Sequence, residues 1–272
     1  TGSHVIAYHE TTCEIYSMKG QLRYAGALSG TISRLDNLDG VWFQIGSEEM
    51  KKFMDDLIRE VNGIRIAITA FTKGMEESKG IPSGCYINLL YEDYTTAYQK
   101  VDEDGIRAVL KNIAAEKPDI TIALLHWGSE YNDNISKTQE DVAALLQSRG
   151  VEVILGTHPH YVQKMEFDPE KGTFIAYSLG DFFGDAARAG SEYSVILNLE
   201  ITKDNKTGET KITGYDYTPI FTVTEEGLPA KVVRIRQTME AFEEGYLDKV
   251  SDETYQAMAY ALTRIEARVA GN

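Results

Sequence analysis

Covalent cross-links, membrane-spanning length and basic charge are all scarce in this sequence. Its two cysteines, Cys13 and Cys85, stand apart and outside any CxxC pair. That excludes a disulfide framework and says little about redox compartment. No apolar run approaches the roughly 18 residues that a membrane-spanning helix needs. Lys and Arg number 27 against 42 Asp and Glu, a formal net charge of −15. A surface so acidic repels phosphate backbones and anionic lipid, which argues against nucleic acid as a partner and suits a soluble protein or one that holds cations. GxSxG, P-loop and GxGxxG patterns are missing, and neither cysteine has a histidine placed to activate it, so serine and cysteine nucleophiles are poor candidates. There is no internal repeat and no low-complexity tract. The chain opens on Thr1 without methionine, as expected of a fragment, so the lack of a signal peptide carries little weight for compartment.

What is present is a chain of 272 residues, 43% hydrophobic, able to bury one substantial core or one domain with an appendage. Residues 1–45 show mixed polarity, scattered glycines and little periodicity. Organisation sharpens at "LIREVNGIRIAITAF" (57–71), where Asn62-Gly63 between alternating apolar residues predicts a two-residue hairpin turn. Met50, Phe53, Met54, Leu57, Ile58 and Val61 have helical spacing, so a short helix within 47–61 is expected before the hairpin. Ile106, Val109, Leu110 and Ile113 form a helical stripe that Pro118 ends, and "ITIALLHWG" (120–128) then reads as a strand covered on both faces. Ser136 and Gln139 form a capping-box pattern for a helix that Gly150 stops, and "VEVIL" (151–155) is the next buried strand. Beyond it, "TFIAYSLGDF", "EYSVILNLEITK", "ETKITGYDYTPIFTV" and "AKVVRIR" predict antiparallel strands, followed by helices near 237–247 and 252–268. The composite is an α/β layer with an antiparallel sheet added, two sheets packing face to face. The expected division is 1–56 as a segment of unclear organisation, 57–235 as the α/β domain and 236–272 as a C-terminal helical extension.

Ligands of open α/β sheets gather at the carboxyl ends of the strands. Strand 120–125 runs into His126, and strand 151–155 runs into "GTHPH" with His158 and His160, so if the two strands are neighbours, three of the five histidines lie on one rim. If the H-P-H segment is extended, its two rings project to the same side, and the proline stiffens the loop. Neutral imidazoles in that arrangement suit zinc, iron, manganese or nickel. The alternative is an accidental HxH and a hydrogen-bonded core His126. In "AYSLGDFFGD" (176–185), Ser178, Asp181 and Asp185 stand at a further strand end. Asp181 is placed to hold a histidine N–H, or else the segment is a solvated turn around Gly180. Glu130 and Tyr131 follow His126 closely enough to support the rim or touch substrate.

Four segments occur in order: "ALLHWGSEY", Gln139 in its helix, "GVEVILGTHPHYVQ" and "IAYSLGDF". Together they resemble the bacterial capsule-synthesis family CapA, also called PgsA, linked to poly-γ-glutamate capsule. "VNGIRIAITAFT" and "ITGYDYTPIFTV" extend the likeness to roughly 57–223. The resemblance implies a calcineurin-like metallophosphoesterase fold, two packed sheets flanked by helices. It implies a di-metal site of divalent transition-metal ions (Mn, Fe or Zn) in the intact domain, not necessarily filled in this chain, with His126, His158 and His160 as metal-ligand positions and His126 and His158 as catalytic ones. Glu130, Tyr131, Ser178 and Asp181 then stand as supporting or substrate groups. The family's early "GD" strand end, "NxE" stretch and "NNHxxDxG" loop do not occur, so the chain is expected to be the C-terminal part of the domain. Thr157 stands where a histidine is common, and Asp181 where asparagine is usual. The implied function is capsule-polymer biosynthesis or export at the cell surface, membrane-anchored in the intact protein, with a phosphoesterase-like hydrolase site. The implied partners are anionic capsule polymer or a phosphoester substrate, and membrane synthase subunits. The alternative function is a non-catalytic module that binds polymer or partner proteins.

Overall fold

The computed structural model describes residues 58–74, 87–93, 100–184, 188–227, 229–247 and 250–271, together with five short strands between residues 4 and 43. Contacts divide the chain into two compact units, residues 1–58 with 76–87 and residues 59–75 with 88–272. In the first unit β1 (His4–His9), β2 (Thr12–Ser17) and β3 (Leu22–Ala27) form an antiparallel sheet. β4 (Asp36–Leu38) and β5 (Val41–Phe43) form a separate antiparallel pair. Strands therefore occupy sequence that showed no clear periodicity. Residues 47–57 of the expected short helix, and Asp185, lie outside the described residues. Residues 58–61 are strand rather than helix.

The hairpin of β6 (Ile58–Val61) and β7 (Ile64–Thr72) begins at the boundary between units. Its turn is the predicted one, with Asn62 at φ 52° and Gly63 at φ 79°. Positive φ at both central residues is what a tight two-residue hairpin requires, and Asn-Gly meets it at low cost. Next come α1 (Glu103–Ala115), capped by the Asp102 side chain, and β8 (Ile120–His126). The helix α2 (Lys137–Ser148) follows, started by the reciprocal Ser136–Gln139 capping box, and then β9 (Val153–Thr157). β7, β8 and β9 run parallel, with Thr72, His126 and Thr157 abreast.

β10 (Met165–Asp168) and β11 (Thr173–Ala176) complete a six-stranded sheet in the order β10-β11-β9-β8-β7-β6. Here the antiparallel expectation needs correcting. β11 pairs antiparallel with β10 but parallel with β9, because β10 runs outermost and the hairpin returns β11 into the gap beside β9. The strands β12 (Tyr193–Lys203), β13 (Thr210–Val223) and β14 (Lys231–Arg234) form a separate antiparallel sheet, as expected. Helices α3 (Ile235–Glu243) and α4 (Asp252–Ala270) close the chain.

Two apolar cores explain the layering. On one face of the six-stranded sheet, Ala123, Leu125, Ile154 and Ile175 pack against Ile106 and Leu110 of α1 and Val142 and Leu146 of α2. On the other, Ile120, Val153, Phe174 and Ala176 share a core with Val195, Ile212 and Phe221 of the second sheet and Met258, Ile265 and Val269 of α4. The near-continuous apolar strands β8 and β9 follow from being covered on both faces. The second unit is thus an α/β two-sheet sandwich flanked by helices.

Candidate functional site

The parallel register aligns the carboxyl ends of β7, β8 and β9. His126 is the last residue of β8, and its carbonyl accepts the Lys73 N–H at 2.8 Å. Within β9, Gly156 leaves room for the backbone that follows β11 and for the Trp127 side chain. A Cβ there would lie 1.9 Å from the Tyr177 carbonyl oxygen and 2.4 Å from Trp127 Nε1. That space is used by the buried Trp127 indole, which donates to Tyr177 O at 2.8 Å.

His158 and His160 do not continue the strand. They adopt φ 91° and φ 60°, so the expected extended H-P-H geometry is replaced by a turn in the left-handed region. Such a backbone costs on the order of 1–3 kcal/mol per non-glycine residue and is found where surrounding structure enforces it. Part of the enforcement is visible: the Pro159 carbonyl accepts the Tyr131 N–H at 2.9 Å, and Tyr131 itself has φ 52°. The turn swings His158 out of the pleat and over its neighbour on β8. The His126 and His158 ring centroids lie 4.4 Å apart, and those of His158 and His160 lie 6.3 Å apart. The structure therefore brings the three predicted imidazoles together.

Their surroundings differ. Lys73, unassigned by sequence reading, places its Nζ 3.2 Å from His158 Nε2 and 2.8 Å from the Gly128 carbonyl oxygen. An ammonium can only donate, so Nε2 of His158 is the acceptor and its hydrogen sits on Nδ1. Burial, then the neighbouring His126, Lys73 and His160, pushes the His158 imidazolium down to a pKa of about 4. The ring is neutral at physiological pH. Burial also lowers the Lys73 ammonium, and nearby Glu130 opposes that shift.

His160 faces carboxylates instead. Its Nδ1 lies 3.0 and 2.8 Å from the two Asp181 carboxylate oxygens, and its Nε2 is 3.9 Å from Glu130 Oε1. A carboxylate can only accept, so Asp181 holds the hydrogen on Nδ1 and turns Nε2 outward. Tyr131 stacks on His160 with 4.9 Å between centroids, and Arg188 sits 4.9 Å from the Tyr131 ring centre. Ser178 is fully buried and shapes the turn that leads to Asp181. Its hydroxyl accepts the Gly180 N–H, and its carbonyl accepts the Gln163 N–H. Burial takes it out of substrate contact.

Two polar networks, one buried and one partly exposed, hold the loop carrying Glu130 and Tyr131. Gln163 donates to the carbonyls of Asn132 and Asn134 at 2.9 and 3.1 Å and accepts from Gln139 Nε2 at 3.0 Å. From α4, Arg264 and Arg268 each reach Asp133 Oδ2 at 3.1 Å, with Arg268 lodged against the Tyr161 and Tyr193 rings. Gln163 lies within the quoted motif "GVEVILGTHPHYVQ", but sequence reading assigned it no role, and nothing local marked Lys73, Arg264 or Arg268.

The donors fit a divalent transition metal in kind: three imidazoles, one neutral through burial and one backed by a carboxylate. They do not complete a site alone. Among the described residues, no group of three or more His, Cys, Asp or Glu side chains is arranged to hold an ion.

Known proteins resemble the chain over much of its length. It is 29% identical over 184 residues to the PGA biosynthesis protein CapA of Bacillus subtilis (strain 168), covering 66% of this chain and 43% of that protein. It is 28% identical over 166 residues to the Capsule biosynthesis protein CapA of Bacillus anthracis, covering 59% and 36% respectively. The matches thus span less than half the length of these relatives. Among solved structures, the calcineurin-like phosphoesterase YfkN from Bacillus subtilis superimposes with a TM-score of 0.32 at 14% identity, covering 92% of this chain and 62% of that one. A score so low adds nothing to the architecture described above. The profile of the family described as "Bacterial capsule synthesis protein PGA_cap" matches residues 25–186, starting upstream of the motifs quoted from the sequence. That match covers more than half of the chain, which belongs to the bacterial capsule synthesis protein family PGA_cap.

Proposed function

We propose that the chain acts in bacterial capsule biosynthesis, with poly-γ-glutamate as the polymer, and carries the histidine side of a metal-dependent, phosphoesterase-like hydrolase site. The observation that carries this reading is the convergence of His126, His158 and His160 on one rim, with 4.4 and 6.3 Å between successive ring centroids. His126, His158 and His160 would hold the ion, which when bound supplies Lewis acidity at a phosphoryl oxygen. Asp181 fixes the His160 tautomer, and Tyr131 limits rotation of that ring by stacking. Glu130, at the open edge of the rim, is the group positioned to meet substrate or complete a ligand set. The substrate is a phosphoester or the anionic polymer itself. The intact protein works at the cell surface, membrane-anchored, beside membrane synthase subunits.

A second reading is a non-catalytic module that binds polymer or partner proteins. It is favoured by the incomplete ligand set among the described residues. Hydrolysis of a chromogenic phosphodiester by the full-length protein, assayed with Mn, Fe and Zn, separates the two. Activity that disappears in His158→Ala supports the hydrolase. Inactivity with every metal, in protein shown to be folded, supports the module.

A further inference from the structure

Lys73 stands on the carboxyl end of β7, the neighbour of β8, so the sheet itself delivers its side chain to the histidine rim. Its Nζ has two partners, the Gly128 carbonyl oxygen at 2.8 Å and the lone pair of His158 Nε2 at 3.2 Å. A metal ion would need that same lone pair, because the hydrogen of a neutral ring that accepts at Nε2 lies on Nδ1. An ammonium and a metal cation cannot both take it, and they also repel each other at such range.

We propose that Lys73 is a built-in competitor for metal at His158, which must be displaced before the imidazole can coordinate. The displaced ammonium has somewhere to go. It keeps the Gly128 carbonyl as a partner, and the charge of Glu130 lies near enough to act on it. A flexible four-carbon stem allows that swing without backbone change. Lys73 thereby lowers metal affinity of the rim and couples loading to the position of the loop that carries Gly128 and Glu130. This inference rests on the metal reading of the rim.

The test is a titration of the full chain with Co(II), followed by calorimetry and by visible absorption, in the wild type, Lys73→Met and the double variant Lys73→Met/His158→Ala. A lost charge-assisted hydrogen bond corresponds to affinity about tenfold or more higher in Lys73→Met than in the wild type. The double variant is expected to lose that gain, and Lys73→Gln, which keeps a polar end, serves if the methionine variant misfolds. Equal Co(II) affinity in wild type and both Lys73 variants would overturn the competitor role while leaving the metal reading standing. A gain that survives His158→Ala would overturn it too. Absence of binding in every variant would overturn the competitor and the metal reading together.

Discussion

The two edges of the parallel sheet use polar side chains in opposite ways. At the amino edge, Asp119 Oδ2 accepts from the Arg65 N–H and from Lys203 Nζ, each at 2.7 Å, and Glu152 Oε2 accepts from the Thr121 N–H at 2.7 Å. These carboxylates close off main-chain donors and tie β12 to the sheet. At the carboxyl edge, side chains face one another: His126 against His158, His158 against Lys73, His160 against Asp181. Among the described residues, positive φ at non-glycine positions gathers at this second edge, at His158, His160 and Tyr131, with Lys117 before β8 and Asn62 of the hairpin turn the counterparts at the first. The first edge spends its polar groups on the fold. The second holds several ionisable groups at contact distance, the kind of arrangement in which functional sites are sought.

Substitutions should therefore separate the edges, with binding failing at one and stability at the other. The largest effect is expected for His158→Ala. Metal affinity of the full chain, measured by calorimetry, should fall by more than about hundredfold, since even residues that only orient a ligand cost about 10–100-fold. Unfolding should change little there; a large drop in the urea midpoint with metal binding intact would erase the distinction between edges. Asp181→Ala should come next, with affinity reduced by about 10–100-fold as His160 loses its fixed tautomer. Asp181→Asn should retain more binding, because the amide oxygen still accepts from Nδ1–H.

Gln163→Leu tests the support beneath the rim. It strips partners from the carbonyls of Asn132 and Asn134 and from the Gln139 amide, so a stability loss of about 2–3 kcal/mol is expected in urea unfolding. If the loop were held mainly by Arg264 and Arg268, the loss would be far smaller. The smallest effect belongs to the amino edge, where Asp119→Asn should cost about 1–2 kcal/mol and leave metal affinity unchanged. The Arg65 N–H, with Lys203 beside it, holds the Asp119 carboxyl below its ordinary value of 3.8. A carboxyl depressed on folding stabilises in full above its unfolded value and stops doing so as pH falls through the folded one. The wild-type advantage over Asp119→Asn should thus be complete near neutral pH and shrink as pH falls below the ordinary carboxyl value of 3.8. An advantage that grows on acidification would contradict the assignment.

Much of the fold was legible because its signals are local. Asn62-Gly63 demands positive φ, Ser136 and Gln139 cap one helix between them, and the apolar run of β8 announces burial on both faces. The position of β11 was not legible. A short apolar strand pairs equally well in either direction, and only the return of the β10 hairpin beside β9 decided it. The site divides in the same way. Three histidines at two strand ends could be found by counting, and Asp181 could be proposed as a partner for one of them. Lys73 could not, since a lysine after a strand is ordinary in sequence and acquires meaning only when parallel register brings it across to His158.

By itself, then, the sequence determined that His126, His158 and His160 follow the carboxyl ends of buried strands, because strand length and burial pattern are written in residue order. It also carried the family motifs in that order. Tertiary structure alone decided how those side chains meet. The left-handed turn at His158 and His160 lays one ring beside His126 and the other against Asp181, and a neighbouring strand supplies the ammonium. The physical reason is range: strand periodicity and capping act within a few residues, whereas Lys73 and His158 are 85 positions apart and meet only through the sheet.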